Sequence, residues 1–299
     1  MRIFLALVTT FFLFAFVRNK EAVNTKITVP PGTSFIKEGL YMDNYEVSNM
    51  AWQEFIAWVQ KYDEDTTKYK QLQPDATVWY ALKVDAERYV NSYFSSNAFA
   101  SYPVVGISYE QAKAFCEWRT ERVNEILQKT PGSAFKRVEY RLPTESEWEF
   151  AAAGKLDTTK YPYGSEQTKQ KLKNKDVVRM FNCVYPEKDS LDDSQSSIMP
   201  VNFGKPNQYG MYNMIGNAAE MVAEKGLAKG GFYDLLLEYC KIKEQSAYKF
   251  PNRYLGFRCV CTVDNNFSSK QQKETFKKEK AEQSKKDKKK KNAGFEQDQ

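Results

Sequence analysis

The chain has 299 residues, of which 27% are charged and 15% aromatic, and it contains no histidine at all. That zero excludes Ser-His-Asp triads, Cys-His dyads, His-ligated zinc and the two-His iron site together. The net charge of +6 is not spread over the fold: from Lys270 onward there are 11 lysines against 6 acidic residues, which leaves the rest nearly neutral, so no nucleic-acid partner is expected.

In chain order, the first feature is an unbroken apolar run from Ile3 to Val17, preceded by Arg2 and followed by Arg18 and Lys20. As a helix it would reach about 22 Å, short of the ~30 Å hydrocarbon layer. A basic start and a run of this length predict a secretory leader or N-terminal anchor over residues 1–22, hence export to the periplasm or cell envelope and membrane contact through that segment. Ala15-Phe16-Val17 is a poor cleavage site, and the first cysteine is Cys116, so no cysteine follows the run to accept a lipid.

Ile27–Phe35 reads as a strand and turn, and Leu40–Tyr45 leads to a helix capped by Ser48 or Asn49. On that helix Trp52, Phe55, Ile56 and Val59 share one face. Residues 61–100 show no clear period. Tyr102–Gly106 reads as a short buried strand. Ser108 and Gln111 have capping-box spacing and open a helix through about Leu127, with Ala112, Phe115, Val123 and Ile126 inward. Thr144 and Glu147 repeat that spacing for a helix over Glu145–Ala153, stopped by Gly154. Residues 164–210 are irregular and rich in Gly, Pro, Asn and Asp. This texture predicts an α+β domain over 27–264 with few helices, short strands and long ordered loops. The polar, Lys-rich segment 268–299 is expected to be disordered.

Five cysteines (116, 183, 240, 259 and 261) allow at most two disulfides, and spacing leaves the pairing open. Asn213, Gly216, Ala218 and Glu220 offer two side-chain oxygens and two carbonyls at loop spacing, a pattern suited to calcium, which takes six to eight oxygens. The bland alternative is that Asn213 and Glu220 simply hydrogen-bond a tight loop. The acids at Asp192-Asp193 and Glu145/Glu147 read as solvated or helix-start groups rather than as a hydrolytic pair.

The segments Arg141–Gly154 (RLPTESEWEFAAAG), Tyr209–Met221 (YGMYNMIGNAAEM) and Tyr254–Cys259 (YLGFRC), joined by Tyr41–Trp58 and Tyr102–Glu125, resemble the formylglycine-generating enzyme, or sulfatase-modifying factor, family. The wording of Tyr102–Glu125 is similar to the gliding-motility and type IX secretion lipoproteins that carry this domain. The resemblance implies a C-type-lectin-like α+β fold, with Arg141, Glu147, Trp148 and Arg258 structural and Arg258 paired with a core acid. It implies calcium at Asn213, Gly216, Ala218 and Glu220, and a second, weaker site at Asn182, Cys183, Asp193 and Gln195.

In the resembled enzymes an Arg-Gly-Gly segment is followed by two cysteines that bind copper(I). Here Lys229 replaces the Arg, Leu235 stands at the first cysteine position and Cys240 at the second. One thiolate does not hold a soft ion, so copper is not expected and no catalytic residue is assigned. The resulting expectation is an inactive binding or scaffold protein of the cell envelope whose partners are envelope or secretion-system proteins. Its rivals are a copper-dependent oxidase acting on a substrate cysteine and a calcium-dependent lectin-like binder. A second thiol brought against Cys240 at an open groove would overturn the inactive reading.

Overall fold

A computed structural model describes residues 27–65, 67–171, 177–186 and 197–265. The expected leader and tail lie outside the described residues. Among the described residues no helix is long and apolar enough to cross a membrane.

The chain enters through a turn into strand β1 (Thr33–Lys37), which pairs with β2 (Leu40–Asp43). Helix α1 (Asn49–Tyr62) follows, capped by Ser48, whose side chain accepts from the Ala51 amide. Trp52, Phe55, Ile56 and Val59 form its buried face, as their spacing predicts. The stretch without a clear period holds α2 (Lys68–Gln71), α3 (Ala86–Ser92) and two short 3-10 helices at Ala76–Ala81 and Asn97–Phe99. Trp79, Tyr93 and Phe99 bury a small aromatic cluster there.

Tyr102–Gly106 is buried as expected but does not become a strand. Only Pro103 makes a bridge, to Ser48; Val104 donates to Val47 and Gly106 to Asn252. Proline cannot donate to a ladder, and the segment finds separate partners instead of one strand.

Helix α4 (Tyr109–Gln128) and α5 (Glu145–Ala153) both begin with complete capping boxes, at Ser108/Gln111 and Thr144/Glu147. Between them runs β3 (Phe135–Arg141), which joins β10 (Val260–Asn265) in a sheet of order β1-β2-β10-β3, antiparallel throughout. The free edge of β3 is covered by α4. Asn124 Nδ2 donates to Val138 O at 2.8 Å, Asn124 Oδ1 accepts from Val138 N at 2.9 Å, and Thr120 Oγ1 accepts from Tyr140 N at 2.8 Å. An edge satisfied in this way presents no template for another chain.

A small hairpin, β4 (Lys169–Lys171) with β5 (Val177–Arg179), sits apart from the main sheets. The second four-stranded sheet is built from very short strands: β6 (Ala219–Met221), β7 (Leu227–Lys229), β8 (Gln245–Ala247) and β9 (Leu255–Gly256), in order β8-β7-β6-β9. β9 runs parallel to β6. The arrangement is α+β with few helices and short strands, as the sequence texture implies.

Candidate functional site

The asparagine-glycine loop ahead of β6 is shaped by backbone angles that few residues adopt. Asn213 (φ 51°), Gly216 (φ 75°) and Asn217 (φ 62°) are all left-handed. Asparagine tolerates this region; at Gly216 a Cβ would also lie 2.2 Å from the Asn182 carbonyl oxygen, so only glycine fits.

The loop closes over a buried polar network. Arg258, immediately before Cys259, donates from Nε to Glu220 Oε2 at 2.7 Å and from Nη2 to Glu220 Oε1 at 2.6 Å, with both side chains essentially inaccessible. Trp148 Nε1 adds a bond to Glu220 Oε2 at 2.7 Å. The same guanidinium reaches the carbonyls of Asp43 (3.1 Å), Asn44 (3.4 Å) and Tyr212 (2.7 Å). Arg258 and Glu220 together thus tie β2, α5, β6 and the loop.

A second buried acid, Glu46, stands beside this pair without a cation of its own. Its oxygens accept from Asn217 Nδ2 at 2.7 Å and Asn213 Nδ2 at 3.0 Å. Burial pushes its carboxyl up to about 8, with Arg258 pulling the other way and Glu220 adding to the rise. Nothing in the spacing marks Glu46; it lies in Tyr41–Trp58, which reads as an approach to α1.

These contacts test the fit of calcium at Asn213, Gly216, Ala218 and Glu220. The one carboxylate in the set is already neutralised by a buried guanidinium and hydrogen-bonded by an indole. Asn213 has its amide nitrogen among three acceptors: Glu46 Oε2, Pro200 O and Val201 O. A hard dication sharing Glu220 with Arg258 would face its positive charge directly, so this donor set does not fit calcium. Of the second set, Asn182 Nδ2 donates to Ser197 O and to Asn217 Oδ1, both at 2.9 Å. Asp193 and Gln195 lie outside the described residues.

Arg141 and Glu147 form a bidentate pair, both bonds at 2.7 Å, and Glu147 also accepts from Thr144 N. Lys229, wholly buried on β7, bonds Glu145 and Glu149 of α5 at 3.0 and 2.9 Å, and Lys243 also reaches Glu149. The lysine at this position thus holds α5 to the second sheet.

Leu235 is partly buried, and Cys240 ends a single 3-10 turn, Leu237–Tyr239. Cys240 is inaccessible and sits over the Gly230-Gly231 turn, where a Cβ on Gly231 would come within 2.3 Å of its sulfur. Against it lies a second thiol, Cys183, which spacing alone does not pair with it. The two hydrogen-bond each other, and this bond, helped by the Phe232 amide against the cost of burial, holds the Cys240 thiol below its ordinary value; Cys183 is driven far up. Half of the condition that would overturn inactivity is therefore met. The other half is not, since Cys183 is 3% exposed and Cys240 is 0%. A cleft of about 370 Å³, lined by Tyr163, Phe181, Met214 and Ile215, lies nearby. Burial raises the Tyr163 hydroxyl, and the Cys240 and Cys183 thiols add to the rise. Two neighbouring sulfurs suit a soft monovalent ion, and here both are enclosed.

Short strands, ordered loops and a Gly-Phe-Arg clasp that buries its arginine define an α+β domain held by polar networks as much as by its sheets. The family profile described as sulfatase-modifying factor enzyme 1-like domain matches residues 14–263, and the chain belongs to that family. It is 25% identical over 274 residues to the formylglycine-generating enzyme of Mus musculus, covering 77% of this chain and 68% of that protein. It is 32% identical over 125 residues to the inactive C-alpha-formylglycine-generating enzyme 2 of Bos taurus, covering 42% of this chain and 33% of that protein. Among solved structures, Treponema denticola variable protein 1 aligns with a TM-score of 0.46 at 18% identity, over 79% of this chain and 93% of that one.

Proposed function

We propose that this chain is a catalytically silent member of its family that serves as a binding or scaffold module of the cell envelope, exported and packed against envelope or secretion-system proteins. The observation that carries the silence is the thiol geometry. Leu235 occupies one metal-binding position, and the sulfur at the other is sealed beneath Gly231. The named inactivity of the bovine relative is in keeping with this. The envelope role rests on the apolar N-terminal run and on the wording shared with gliding-motility and type IX secretion lipoproteins, an analogy at the level of fold.

The test is to supply the purified protein with copper(I), oxygen and a cysteine peptide that a formylglycine-generating enzyme converts. No aldehyde should form; turnover overturns the reading. For the envelope role, cross-linking in intact cells should return a recurrent membrane or envelope partner. Recovery in the soluble fraction without one counts against that role.

One observation favours a second reading, a copper-dependent oxidase in which Cys183 supplies the missing sulfur: its place beside Cys240 in one buried cluster, held by the Val184–Leu236 bridge. One-to-one copper(I) binding that is lost in both Cys183→Ser and Cys240→Ser, together with turnover, would establish it.

A further inference from the structure

Four of the five cysteines lie as two pairs, each drawn from distant parts of the chain. Cys116 and Cys259 have their sulfurs 3.5 Å apart, and Cys183 and Cys240 share one buried cluster, where each perturbs the other's thiol. All are buried free thiols in the structure. The second pair is held at its base by backbone. Val184 N donates to Leu235 O at 2.9 Å and Leu237 N donates to Val184 O at 2.8 Å, which aligns the residue after Cys183 with the turn that ends on Cys240. Cys240 N in turn donates to Leu237 O at 2.9 Å, closing that turn, and its thiol donates to Leu236 O at 3.6 Å. Bonded sulfurs lie about 2.05 Å apart, so closure needs the two side chains to turn toward each other.

We propose that Cys183 and Cys240 are a covalent modification site that closes to a disulfide when the chain folds in an oxidising environment. The co-reactant is a small-molecule disulfide, RSSR. The Cys240 thiolate attacks one of its sulfurs, breaking the S–S bond, forming a mixed disulfide and releasing one thiol. Cys183 gives up its proton and attacks the Cys240 sulfur, forming the protein disulfide and releasing the second thiol. Two cysteine thiols are oxidised, one RSSR is reduced to two RSH, and protons balance. Because both sulfurs are shielded in the finished fold, exchange takes place before the Leu237–Tyr239 turn docks. The bond staples the loop carrying Asn213 and Asn217 at its base, because residues 184 to 239 lie within the ring. Cys261, buried on β10 and in neither pair, stays reduced.

This inference does not depend on the functional reading, since turnover and alkylation report different quantities. The experiment refolds the reduced, denatured full chain in a reduced/oxidised glutathione buffer, alkylates it in denaturant and maps the peptides without reduction. A peptide pair joining Cys183 to Cys240, lighter by two hydrogens than the reduced pair, is expected, with Cys261 alkylated. In Cys183→Ser the joined peptide disappears and Cys240 takes the label. If Cys183 and Cys240 both carry the label in the oxidised wild-type chain, or either is bridged elsewhere, the proposal is wrong, whatever the state of Cys116 and Cys259. A thermal melt gives an independent readout. Wild type refolded in glutathione buffer should melt higher than wild type refolded in dithiothreitol, by a larger margin than Cys183→Ala/Cys240→Ala refolded in the same two buffers. Equal margins would refute the bond.

Discussion

Replacing Arg258 by methionine isolates the buried clasp. The substitution keeps most of the side-chain volume and removes five hydrogen bonds: two to Glu220 and one each to the carbonyls of Asp43, Asn44 and Tyr212. It leaves Glu220 buried with only the Trp148 indole as partner. It also removes the positive charge that opposes the rise of the Glu46 carboxyl, so two acids are left facing each other in one desolvated pocket. Breaking a buried ion pair from one side costs about 3–5 kcal/mol, a large share of the roughly 5–15 kcal/mol that holds a domain together. Urea unfolding followed by tryptophan fluorescence reads this directly, because Trp148 reports from the site itself. The variant should unfold at much lower denaturant or not fold at 37 °C. The double variant Glu220→Gln/Arg258→Met, which removes the stranded charge, should recover part of the loss. A cost under about 1 kcal/mol for Arg258→Met, or a double variant no better than the single one, would show that the pair is not the central tie.

Glu46 is protonated in the folded protein until about pH 8, whereas unfolded it titrates near 4.5. Its contribution is therefore full below pH 4.5 and is lost as pH rises to 8. Its share of the stability curve should slope downward across that window at up to about 1.4 kcal/mol per pH unit. Glu46→Gln should flatten that limb while lowering the plateau, since its amide nitrogen must face an Asn donor; an unchanged slope in melts from pH 5 to 8 refutes the assignment. Millimolar calcium should leave the melting temperature where a chelator leaves it. Saturation to 100 times a dissociation constant would add about 2.7 kcal/mol, so a rise of several degrees would restore the calcium site. Thr144→Ala removes the cap of α5 and should cost about 1 kcal/mol in the same urea assay, with no loss pointing to a redundant cap.

Much of the fold was legible because it is written locally. The caps at Ser48, Ser108 and Thr144, the stop at Gly154 and the inner faces of α1 and α4 all depend on residues within a turn or two of each other. The site is different in kind. The acid beside Asn213 and Asn217 comes from Glu46, more than 160 residues away, and no period relates them. Tyr102–Gly106 shows the converse error: its apolar wording correctly gives burial, but strand formation depends on what lies alongside.

The thiols depend most on such a long-range contact. The count from Lys229 places Leu235 and Cys240 along one segment, and along that segment a single sulfur is all there is. Cys183 reaches it only because Val184 bridges to Leu236, an isolated contact between loops with no periodic signal. What separates a metal pocket from a structural cross-link is then enclosure. Two sulfurs at the floor of an open cleft leave room for a substrate, whereas here the Gly231 turn lies on one of them and neither lines the nearby cleft. The same glycine that lets the Cys240 sulfur approach the backbone also shuts it away from solvent, and a buried pair of thiols is better suited to bonding one another than to meeting a third ligand.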